Sequence, residues 1–383
     1  MHVLILGARA PACLEWARAF AASGWEVTAA DSLFSPVTRY SRAIRHYLRL
    51  PEPRRNPDAW IDALRHAVQT RSINLVLPTC EEVFYLGYGL ERIPCRVVGM
   101  PLEALQPLHH KYQFAQMTQG WPLTAPESHL LESAAAVAAW ADRAGDWVFK
   151  PAYSRFANRT LIRPGRRQLL EVQPTAQQPW VAQRCVAGKE HCSYSLLVDG
   201  RLAAHACYHP RYRVGRGSGI WFEPTDPPAI RAFVAHFGQA TGYNGQVAFD
   251  FIETVDGQCF VLECNPRATS GVHLFDDQPE ALVQALLEGS DALLAPTQQP
   301  RMIALAMLLF ALPRYGLRRA FWQDFIAARD TIVRSGDWGP LGAQFPALLE
   351  ILWHVASLRR GLLAATTADI EWDGQPMQEA ACS

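Results

Sequence analysis

The first part of the chain alternates apolar runs with segments of helical periodicity. An apolar run at residues 2–6 leads into Gly7, and residues 14–21 then place apolar side chains at helical spacing. Glu26–Ala30 and Ile73–Leu77 are predicted to form two more strands. Strands that alternate with helices are typical of a parallel sheet, so we predict a small α/β domain here.

A different pattern begins near residue 108, where a helical segment is followed by short apolar runs separated by turn residues. These runs predict strands at Trp147–Lys150, Trp180–Val186, Ser193–Val198, Ala203–Tyr208, Gln246–Ile252 and Cys259–Cys264. Short strands joined by turns favour antiparallel sheets of the α+β class. Beyond residue 295 the apolar positions again follow helical spacing. We predict three domains, at 1–107, 108–295 and 296–383.

The composition excludes several classes of protein. Hydrophobic residues make up 49% of the chain and charged residues 19%, as in an ordinary globular protein. Lysine and arginine (36) balance aspartate and glutamate (36), so no net charge attracts nucleic acid or an anionic membrane. The 9 cysteines contain no CxxC pair, which argues against a disulfide framework or a structural zinc site and favours the cytoplasm.

No membrane span is predicted. The N-terminal residues lack the basic leader and the longer apolar core of a signal peptide. The most apolar later stretch, Ile303–Leu312, is about half the length that a bilayer-spanning helix needs. We therefore predict a buried helix there.

The strongest local signal is a predicted hairpin. Asp256 and Gly257 stand between two β-favouring runs, a dipeptide typical of two-residue hairpin turns. A turn at these two residues places Asp250 directly opposite Glu263. Asn265 then lies on the same face as Glu263, because side chains two residues apart on a strand share a face.

This hairpin is predicted to bind a divalent cation. Two carboxylates on directly opposed residues repel each other unless a positive charge lies between them. Carboxylate and amide oxygens are the hard ligands that Mg²⁺ or Mn²⁺ prefers, and these ions take further ligands from substrate phosphates. The alternative is a pair of solvated surface acids, but neighbours such as Phe249, Phe251 and Val261 make the strands too apolar for full exposure.

The same hairpin resembles the metal-binding signature of the ATP-grasp superfamily, an acid on one strand followed by E-x-N-x-R on the next. Here the acid is Asp250, and Glu263-Cys-Asn265-Pro-Arg267 supplies the rest. The resemblance implies that Asp250, Glu263 and Asn265 bind Mg²⁺ and that Arg267 contacts the transferred phosphate. It also implies an ATP-grasp fold, in which two α+β subdomains enclose ATP, preceded by a Rossmann-like pre-ATP-grasp domain and followed by a helical C-terminal region. The small lid subdomain would cover about 125–187 and the larger, metal-binding subdomain about 188–295.

Candidate nucleotide ligands occur in the order that the family shows. Lys111 and Lys150 resemble its two ATP-binding lysines, and a later segment resembles its hinge. In that hinge, backbone groups near Val186 would contact adenine, and Glu190 would bind ribose. Gln183 stands where an acid is common, but an amide can also accept from and donate to the adenine edge.

The loop after Lys150 departs from the family pattern, because it has no glycines whose amides approach phosphate closely. Ser154 and Arg155 offer a hydroxyl and a bidentate guanidinium instead. We predict a mobile phosphate lid at residues 152–159.

Further residues are candidates for contacts with the substrates, because they are cationic, follow the metal strand or end a strand of the parallel sheet. They are Arg211 and Arg213 for a carboxylate or the γ-phosphate, Lys150 and Arg267 for charge in transfer, Ser270, Gly271 and His273 for the acceptor pocket, and Glu81 and Glu82 for the amine. The alternatives are solvated arginines, a structural histidine, and acids that complement a helix dipole.

These residues and the resemblance together imply an ATP-dependent ligase. It would join a small carboxylic acid to an amine, such as an amino acid, through an acyl phosphate, with release of ADP and phosphate. The alternatives are a thiol acceptor, bicarbonate, phosphotransfer to another group, or an ATP-binding protein without turnover. NAD binding is disfavoured, because Gly7 is the only glycine of the dinucleotide fingerprint present after the first strand. A homodimer is left open, and no nucleic acid partner is expected.

Overall fold

The computed structural model describes residues 1–155, 159–215, 217–290, 292–359 and 361–377. Within these ranges the chain forms three β-sheets with helices packed around them. Residues 156–158 of the predicted phosphate lid lie outside the described residues, as does Arg216 of the predicted cation cluster.

A parallel sheet forms the first part of the fold. Its strands are β1 (His2–Leu6), β2 (Glu26–Asp31), β3 (His46–Arg49), β4 (Leu75–Leu77) and β5 (Arg96–Val97), with helices α1 (Pro11–Ala22), α2 (Pro57–Thr70), α3 (Val83–Tyr88) and α4 (Leu102–His109). The order across the sheet is β3, β2, β1, β4, β5. β1 is buried along its whole length, which explains its unbroken apolar run, because parallel strands are covered on both faces. The predicted parallel sheet is confirmed.

A small antiparallel sheet follows. It contains β6 (Ser128–Leu131), β7 (Trp147–Pro151), β8 (Leu161–Ile162) and β9 (Trp180–Arg184), with helices α5 (Lys111–Met117), α6 (Ala134–Ala138) and α7 (Arg166–Leu170) nearby. β9 lies in the middle of the sheet, between β6 and β7. Trp140, Trp147 and Phe149 form its apolar core.

A larger sheet carries the predicted metal hairpin. It contains β10 (Lys189–Val198), β11 (Arg201–Val214), β12 (Ser218–Thr225), β13 (Gly245–Glu253) and β14 (Cys259–Asn265), and helices α8 (Pro228–Thr241) and α9 (Pro279–Glu288) belong to the same part of the chain. Phe233 and Phe237 of α8 pack against Phe249, with ring centroids 5.3 and 5.0 Å apart. One face of the hairpin is thus buried by α8, and its other face carries Asp250.

The C-terminal region is mainly helical, as predicted, with a small addition to the large sheet. Two short strands, β15 (Arg301–Met302) and β16 (Arg329–Asp330), extend the large sheet beyond β12. The helices are α10 (Ala304–Ala306), a π-helical turn (Met307–Ala311), α11 (Leu312–Tyr315), α12 (Arg319–Ala327), α13 (Gly339–Leu358) and α14 (Leu362–Ala365). Within the segment predicted as a buried helix, Met307 is buried, but Leu308 and Leu309 are 39% and 48% exposed.

Helix α13 is the most apolar long helix in the described ranges. It was not predicted from the sequence. By length and composition it is long enough to cross a membrane, and it is the one helix of the described residues for which this holds. It is almost entirely unburied, with Phe345 69% and Trp353 65% exposed. Because one such helix is weak evidence of a membrane span, the expectation of no span stays a prediction.

Residues 366–377, called the C-terminal segment below, cross the carboxyl edge of the parallel sheet. Arg9, which follows β1, donates to the carbonyl oxygen of Thr366 at 2.9 Å. Arg54 N donates to the carbonyl oxygen of Asp369 at 3.0 Å. The C-terminal segment therefore covers the edge where open parallel sheets place their ligands.

Candidate functional site

The hairpin of β13 and β14 brings the predicted acids together. Asp250 pairs with Glu263, and Ala248 pairs with Asn265, as the sequence predicts. Because residues 263 and 265 share a face, the carboxylates of Asp250 and Glu263 and the amide of Asn265 all border one cavity. The predicted pairing is confirmed.

The turn that sets this pairing differs from the prediction of a two-residue turn at Asp256 and Gly257. The loop has three residues, 255–257, and Gly257 N donates to the carbonyl oxygen of Thr254 at 3.0 Å. Gly257 has a φ of 82°, the left-handed conformation that ends three-residue hairpin loops. This loop alone would shift the pairing by one residue, but a β-bulge at Leu262 restores it before Asp250.

The two facing carboxyls interact strongly. Burial and the neighbouring charge of Glu263 raise the pKa of Asp250 above its usual range. Burial also opposes the ionisation of Glu263, but Lys111 and Lys150 outweigh it and lower the pKa of Glu263. Two carboxyls so close compete for ionisation, and both ionise together only when a cation lies beside them.

Both predicted lysines lie at this cavity. Lys111 Nζ is 3.4 Å from Glu263 Oε2 and donates to the carbonyl oxygen of Ser154 at 2.7 Å. Lys150 Nζ donates to Gln183 Oε1 at 3.0 Å. Burial lowers the pKa of Lys150 to about 8, although the nearby Glu263 acts in the opposite direction. A buried ammonium that still carries its charge at neutral pH is suited to an anionic ligand.

The hinge after β9 forms another wall of the cavity. Arg184, Cys185 and Val186 line it, next to Glu190. The side chain of Gln183 differs from expectation, because it is buried, accepts from Lys150 and donates to Ser128 Oγ at 3.1 Å. The amide oxygen and the amide nitrogen of Gln183 therefore both have protein partners, and the oxygen holds Lys150 in position.

The cavity has a volume of about 400 Å³ and lies between the small sheet and the large sheet. Most residues predicted for the site line it, from both sheets and from the helix between them. They are Lys111, Lys150, Ser154, Gln183, Val186, Glu190, Arg213, Asp250, Glu263, Asn265, Arg267 and Ser270. One of these, Arg213, forms an ion pair with the predicted ribose ligand Glu190.

Arg267 connects the cavity with the parallel sheet. Its Nε donates to Glu81 Oε1 at 2.7 Å, and its Nη2 donates to Asn265 Oδ1 at 3.3 Å. Arg155 Nη2 lies 3.4 Å from the other oxygen of Glu81. Burial opposes the ionisation of Glu81, but Arg155 and Arg267 lower its pKa to about 2. In this structure Glu81 therefore holds two arginines, where the sequence analysis expected a substrate amine.

Three other predicted residues have structural partners away from the cavity. Arg211 Nη1 donates to Asp324 Oδ1 of α12 at 2.8 Å. His273 is buried, and its Nδ1 lies 2.9 Å from Glu15 Oε2 of α1. Gly271 packs so closely that an added Cβ would lie 2.4 Å from Tyr194 Cβ. These contacts correct the expectation that Arg211, Gly271 and His273 face the substrates.

Glu82 is also a structural residue here. Its Oε1 accepts from the backbone amides of Thr79 and Cys80, each at 2.9 Å. Burial raises its pKa to about 7, although the two amides act in the opposite direction. The carboxyl thus caps the turn after β4 instead of reaching the cavity.

Several cavity residues from β10 to β12 were not predicted from the sequence. Cys192 pairs with Asp250 across β10 and β13, and Tyr208 and Phe222 lie on the next two strands. No local motif marks these positions, because each reaches the site through strands that are distant in sequence. Alternation along β10 was the one available signal, but it does not say which strand lies beside β13.

Comparison with solved structures identifies the fold. An L-amino acid ligase from Bacillus licheniformis superimposes with a TM-score of 0.58 at 14% identity, covering 75% of this chain and 74% of that one. A phosphoribosylamine–glycine ligase from Thermotoga maritima gives 0.59 at 16% identity and covers 78% of each chain. A biotin carboxylase domain of the 2-oxoglutarate carboxylase from Hydrogenobacter thermophilus, solved as a dimer with MgADP, ADP and bicarbonate, gives 0.59 at 13% identity, covering 78% and 73%.

These three proteins are ATP-grasp enzymes. The chain therefore has the ATP-grasp fold preceded by a parallel α/β domain, as the resemblance of the hairpin predicted. No family model and no curated protein matches the sequence.

Proposed function

We propose that the chain is an ATP-dependent ligase that joins a carboxylic acid to an amine through an acyl phosphate. The observation that carries the proposal is the cavity between the two antiparallel sheets. There, the facing pair Asp250 and Glu263 lies beside two buried lysines and Arg267. Opposed carboxylates and buried cations in one cavity suit a metal-bound triphosphate, which carries both kinds of charge.

ATP would lie with its adenine ring at the hinge and its phosphates towards Arg267. Backbone groups of residues 184–186 are available to the ring, and Glu190 would bind the ribose hydroxyls after its ion pair with Arg213 opens. Lys111 and Lys150 would contact the phosphates. Each lysine donates to a neutral oxygen acceptor, Ser154 O or Gln183 Oε1, which fixes its position. Lys111 also forms an ion pair with Glu263, which a bound metal would replace as the partner of that carboxylate.

Asp250, Glu263 and Asn265 would hold Mg²⁺ or Mn²⁺. The donor set fits a hard cation, because all three groups offer oxygen and the two carboxyls lie on directly paired residues of neighbouring strands. When bound, the metal would neutralise charge on the β- and γ-phosphates. The third ligand is an amide, which explains why the described residues contain no group of three His, Cys, Asp or Glu side chains at metal spacing.

The proposed reaction has two steps, and Lys150 and Arg267 act in it through their charge. A carboxylate oxygen of the first substrate attacks the γ-phosphorus, the bond to the ADP oxygen breaks, and an acyl phosphate forms. The amine then attacks the acyl carbon, phosphate leaves, and the amine releases a proton. Lys150 and Arg267 stabilise negative charge in transfer, so catalysis is mainly electrostatic. No covalent nucleophile of the protein is required.

The proposed formation of a carbon–nitrogen bond is supported by fewer observations than the proposed use of ATP. Two of the structural neighbours are an amino acid ligase and a glycine ligase by name, whereas a third was solved with bicarbonate. We therefore take an amino acid as the first class of amine to test and bicarbonate as the competing substrate. A cytoplasmic site of action fits the use of ATP and the described cysteines, which are all free thiols.

The test is ADP formation by the purified chain with Mg²⁺, ATP and pooled acids and amines. We expect ADP and phosphate in equal amounts only when an acid and an amine are both present, with a new amide detected by mass spectrometry. ADP formation with bicarbonate alone would instead favour a carboxylase. Calorimetric binding of ATP without ADP formation in any pool would favour a binding protein, and stabilisation by NAD(H) but not by ATP would refute the proposal.

A further inference from the structure

A row of alternating charges leads from the C-terminal segment to the metal-binding strand. Glu371 Oε2 lies 3.6 Å from Arg155 Nη2, and the same nitrogen lies 3.4 Å from Glu81 Oε2. The other oxygen of Glu81 accepts from Arg267 Nε at 2.7 Å. Arg267 Nη2 then donates to Asn265 Oδ1 at 3.3 Å. The C-terminal segment is thereby connected to a residue proposed to bind the metal.

Two guanidinium groups share the single carboxylate of Glu81. Arg155 is 7% and Glu81 1% exposed, so water and salt screen these charges only weakly. The neighbouring His109 adds no charge, because burial lowers its pKa to about 3. Glu371 is therefore the group that balances Arg155 and leaves one oxygen of Glu81 to Arg267.

The position of Glu371 is fixed by several contacts. Arg54 Nη1 lies 2.5 Å from its Oε1, and the Tyr85 hydroxyl donates to its carbonyl oxygen at 2.8 Å. Two residues earlier, Asp369 forms an ion pair of 2.5 Å with Arg9 at the end of β1. These contacts hold the carboxylate in place before any ligand binds.

We infer that Glu371 is a positioning residue for the phosphate end of the cavity: by balancing Arg155 it leaves Glu81 free to hold Arg267 beside Asn265. The inference rests on the proposed function in one respect, namely that Arg267 contacts the γ-phosphate of ATP. Without the charge on Glu371, both oxygens of Glu81 attract Arg155, and Arg267 loses its Nε partner. The hinge at residues 184–186 takes no part in this row and keeps its affinity for adenine.

The experiment compares a triphosphate with a monophosphate. The full chain and its Glu371→Gln variant are titrated calorimetrically with the β,γ-imido analogue of ATP plus Mg²⁺, and separately with AMP. We expect the variant to bind the analogue about 3- to 30-fold more weakly, the range of coupling carried by such networks. AMP, which lacks the phosphates that Arg267 would contact, is expected to bind equally to both proteins.

The matched control is Asp373→Asn in the same segment. Asp373 also pairs with Arg54, at 2.8 Å, but makes no described contact with Arg155. We expect this variant to bind both nucleotides like the unmodified chain. Glu371→Asp retains the charge and is expected to recover most of the affinity for the analogue.

A double variant separates an ionic role from a purely structural one. Arg155→Met combined with Glu371→Gln removes the competing cation together with its partner, so Glu81 again belongs to Arg267. We expect the double variant to bind the analogue more tightly than Glu371→Gln alone, an effect that loss of packing would not produce. The double variant also serves if the single variant is unstable, because Arg155 is removed together with its partner and Arg54 still pairs with Asp373.

Each outcome has a separate meaning. If the unmodified chain binds neither nucleotide, the proposed function fails. If it binds both, and Glu371→Gln does not weaken binding of the analogue, the role of Glu371 is refuted while ATP binding stands. Equal loss of affinity for AMP and the analogue, or no recovery in the double variant, would likewise refute positioning through Arg155.

Discussion

The Asp250 and Glu263 pair makes the sharpest prediction at the scale of single residues. Glu263→Gln removes one of the opposed charges and a hard ligand while keeping the shape of the side chain. We expect ADP formation to fall by about 100-fold or more, as when a group that stabilises charge in transfer is lost. Circular dichroism should show an intact fold, since the strand pairing uses backbone groups.

The control for this variant is Glu253→Gln, at the end of the neighbouring strand β13 of the same hairpin. Glu253 pairs with His191 at 3.1 Å, and its carboxylate is not among the groups that border the cavity. It should retain most of the activity. Turnover by Glu263→Gln at the level of Glu253→Gln would rule out the metal assignment.

The buried carboxyl of Glu82 predicts a pH dependence of stability. Its pKa is raised by burial from 4.5 to about 7, so between these values the folded chain binds a proton that the unfolded chain has lost. The stability that Glu82 contributes is therefore fully present below pH 4.5 and is lost as the pH rises through about 7. The slope is on the order of 1 kcal/mol per pH unit.

Urea unfolding of the chain and of Glu82→Gln across this pH range measures the effect. Glutamine keeps an oxygen that accepts from Thr79 and Cys80, so only the titration is removed. We expect the stability of the unmodified chain relative to the variant to fall as pH rises. A difference that stays constant across this pH range for Glu82→Gln would contradict the raised pKa.

At this scale the sequence predicted residue types better than contacts. Asp250, Glu263, Asn265 and Arg267 were found because they are local in sequence and their strand pattern fixes their face. Contacts of Gln183 with Lys150 and of Arg211 with Asp324 join parts of the chain far apart in sequence. Only the assembled sheets decide between such partners.

At the scale of elements, the hairpin shows how a prediction can be correct for an incomplete reason. The Asp-Gly signal located the turn, but not whether two or three residues form the loop. A three-residue loop and the bulge at Leu262 each shift the register by one residue, in opposite senses, and so restore the predicted pairing. Bulges depend on neighbouring strands, so the sequence of the hairpin alone could not reveal the compensation.

The turn makes a prediction of its own. Gly257 has a φ of 82°, so Gly257→Ala places a Cβ in the left-handed region, at a cost of about 1–2 kcal/mol. We expect that loss in urea unfolding, with little change in nucleotide affinity because the bulge lies between the turn and Asp250.

Gly145→Ala is the matched control for the turn. Gly145 lies outside the left-handed region, and a Cβ added there meets no atom within 4 Å. It should not destabilise the chain. Equal stability of the two variants would show that the strain at Gly257 is absent.

At the scale of the whole molecule, helix α13 stands apart from the packed cores. Phe345 of α13 is 69% exposed, whereas Phe249 in the large sheet is fully buried. We expect Phe345→Ala to change the free energy of unfolding by less than about 0.5 kcal/mol. Phe249→Ala should cost about 3–5 kcal/mol, because it leaves a cavity under α8.

Urea unfolding of the two variants provides the comparison. A large loss of stability in Phe345→Ala would show that this face of α13 is covered in solution. The helix went unnoticed in the sequence because its apolar residues surround the whole helix and no motif lies within it.

The parallel domain and the antiparallel α+β part behind it could be derived from strand spacing, since apolar runs and turns are local signals. The division of that part in two was implied only by the resemblance of the hairpin. The path of the C-terminal segment could not. Asp369 and Glu371 resemble ordinary surface acids in sequence, and only the fold brings them to Arg9 and Arg155. Sequence patterns do not predict polar residues whose partners lie far away in the sequence.

The course of the C-terminal segment also bears on the order in which the protein is made. The hinge, the lysines and the metal hairpin all leave the ribosome before Glu371 does. A nascent chain that has folded this far would bind ATP with Arg267 still drawn away from the phosphates. Competence for phosphoryl transfer would then arrive only once Glu371 has been made, so that a chain not yet extended to Glu371 holds nucleotide without consuming it.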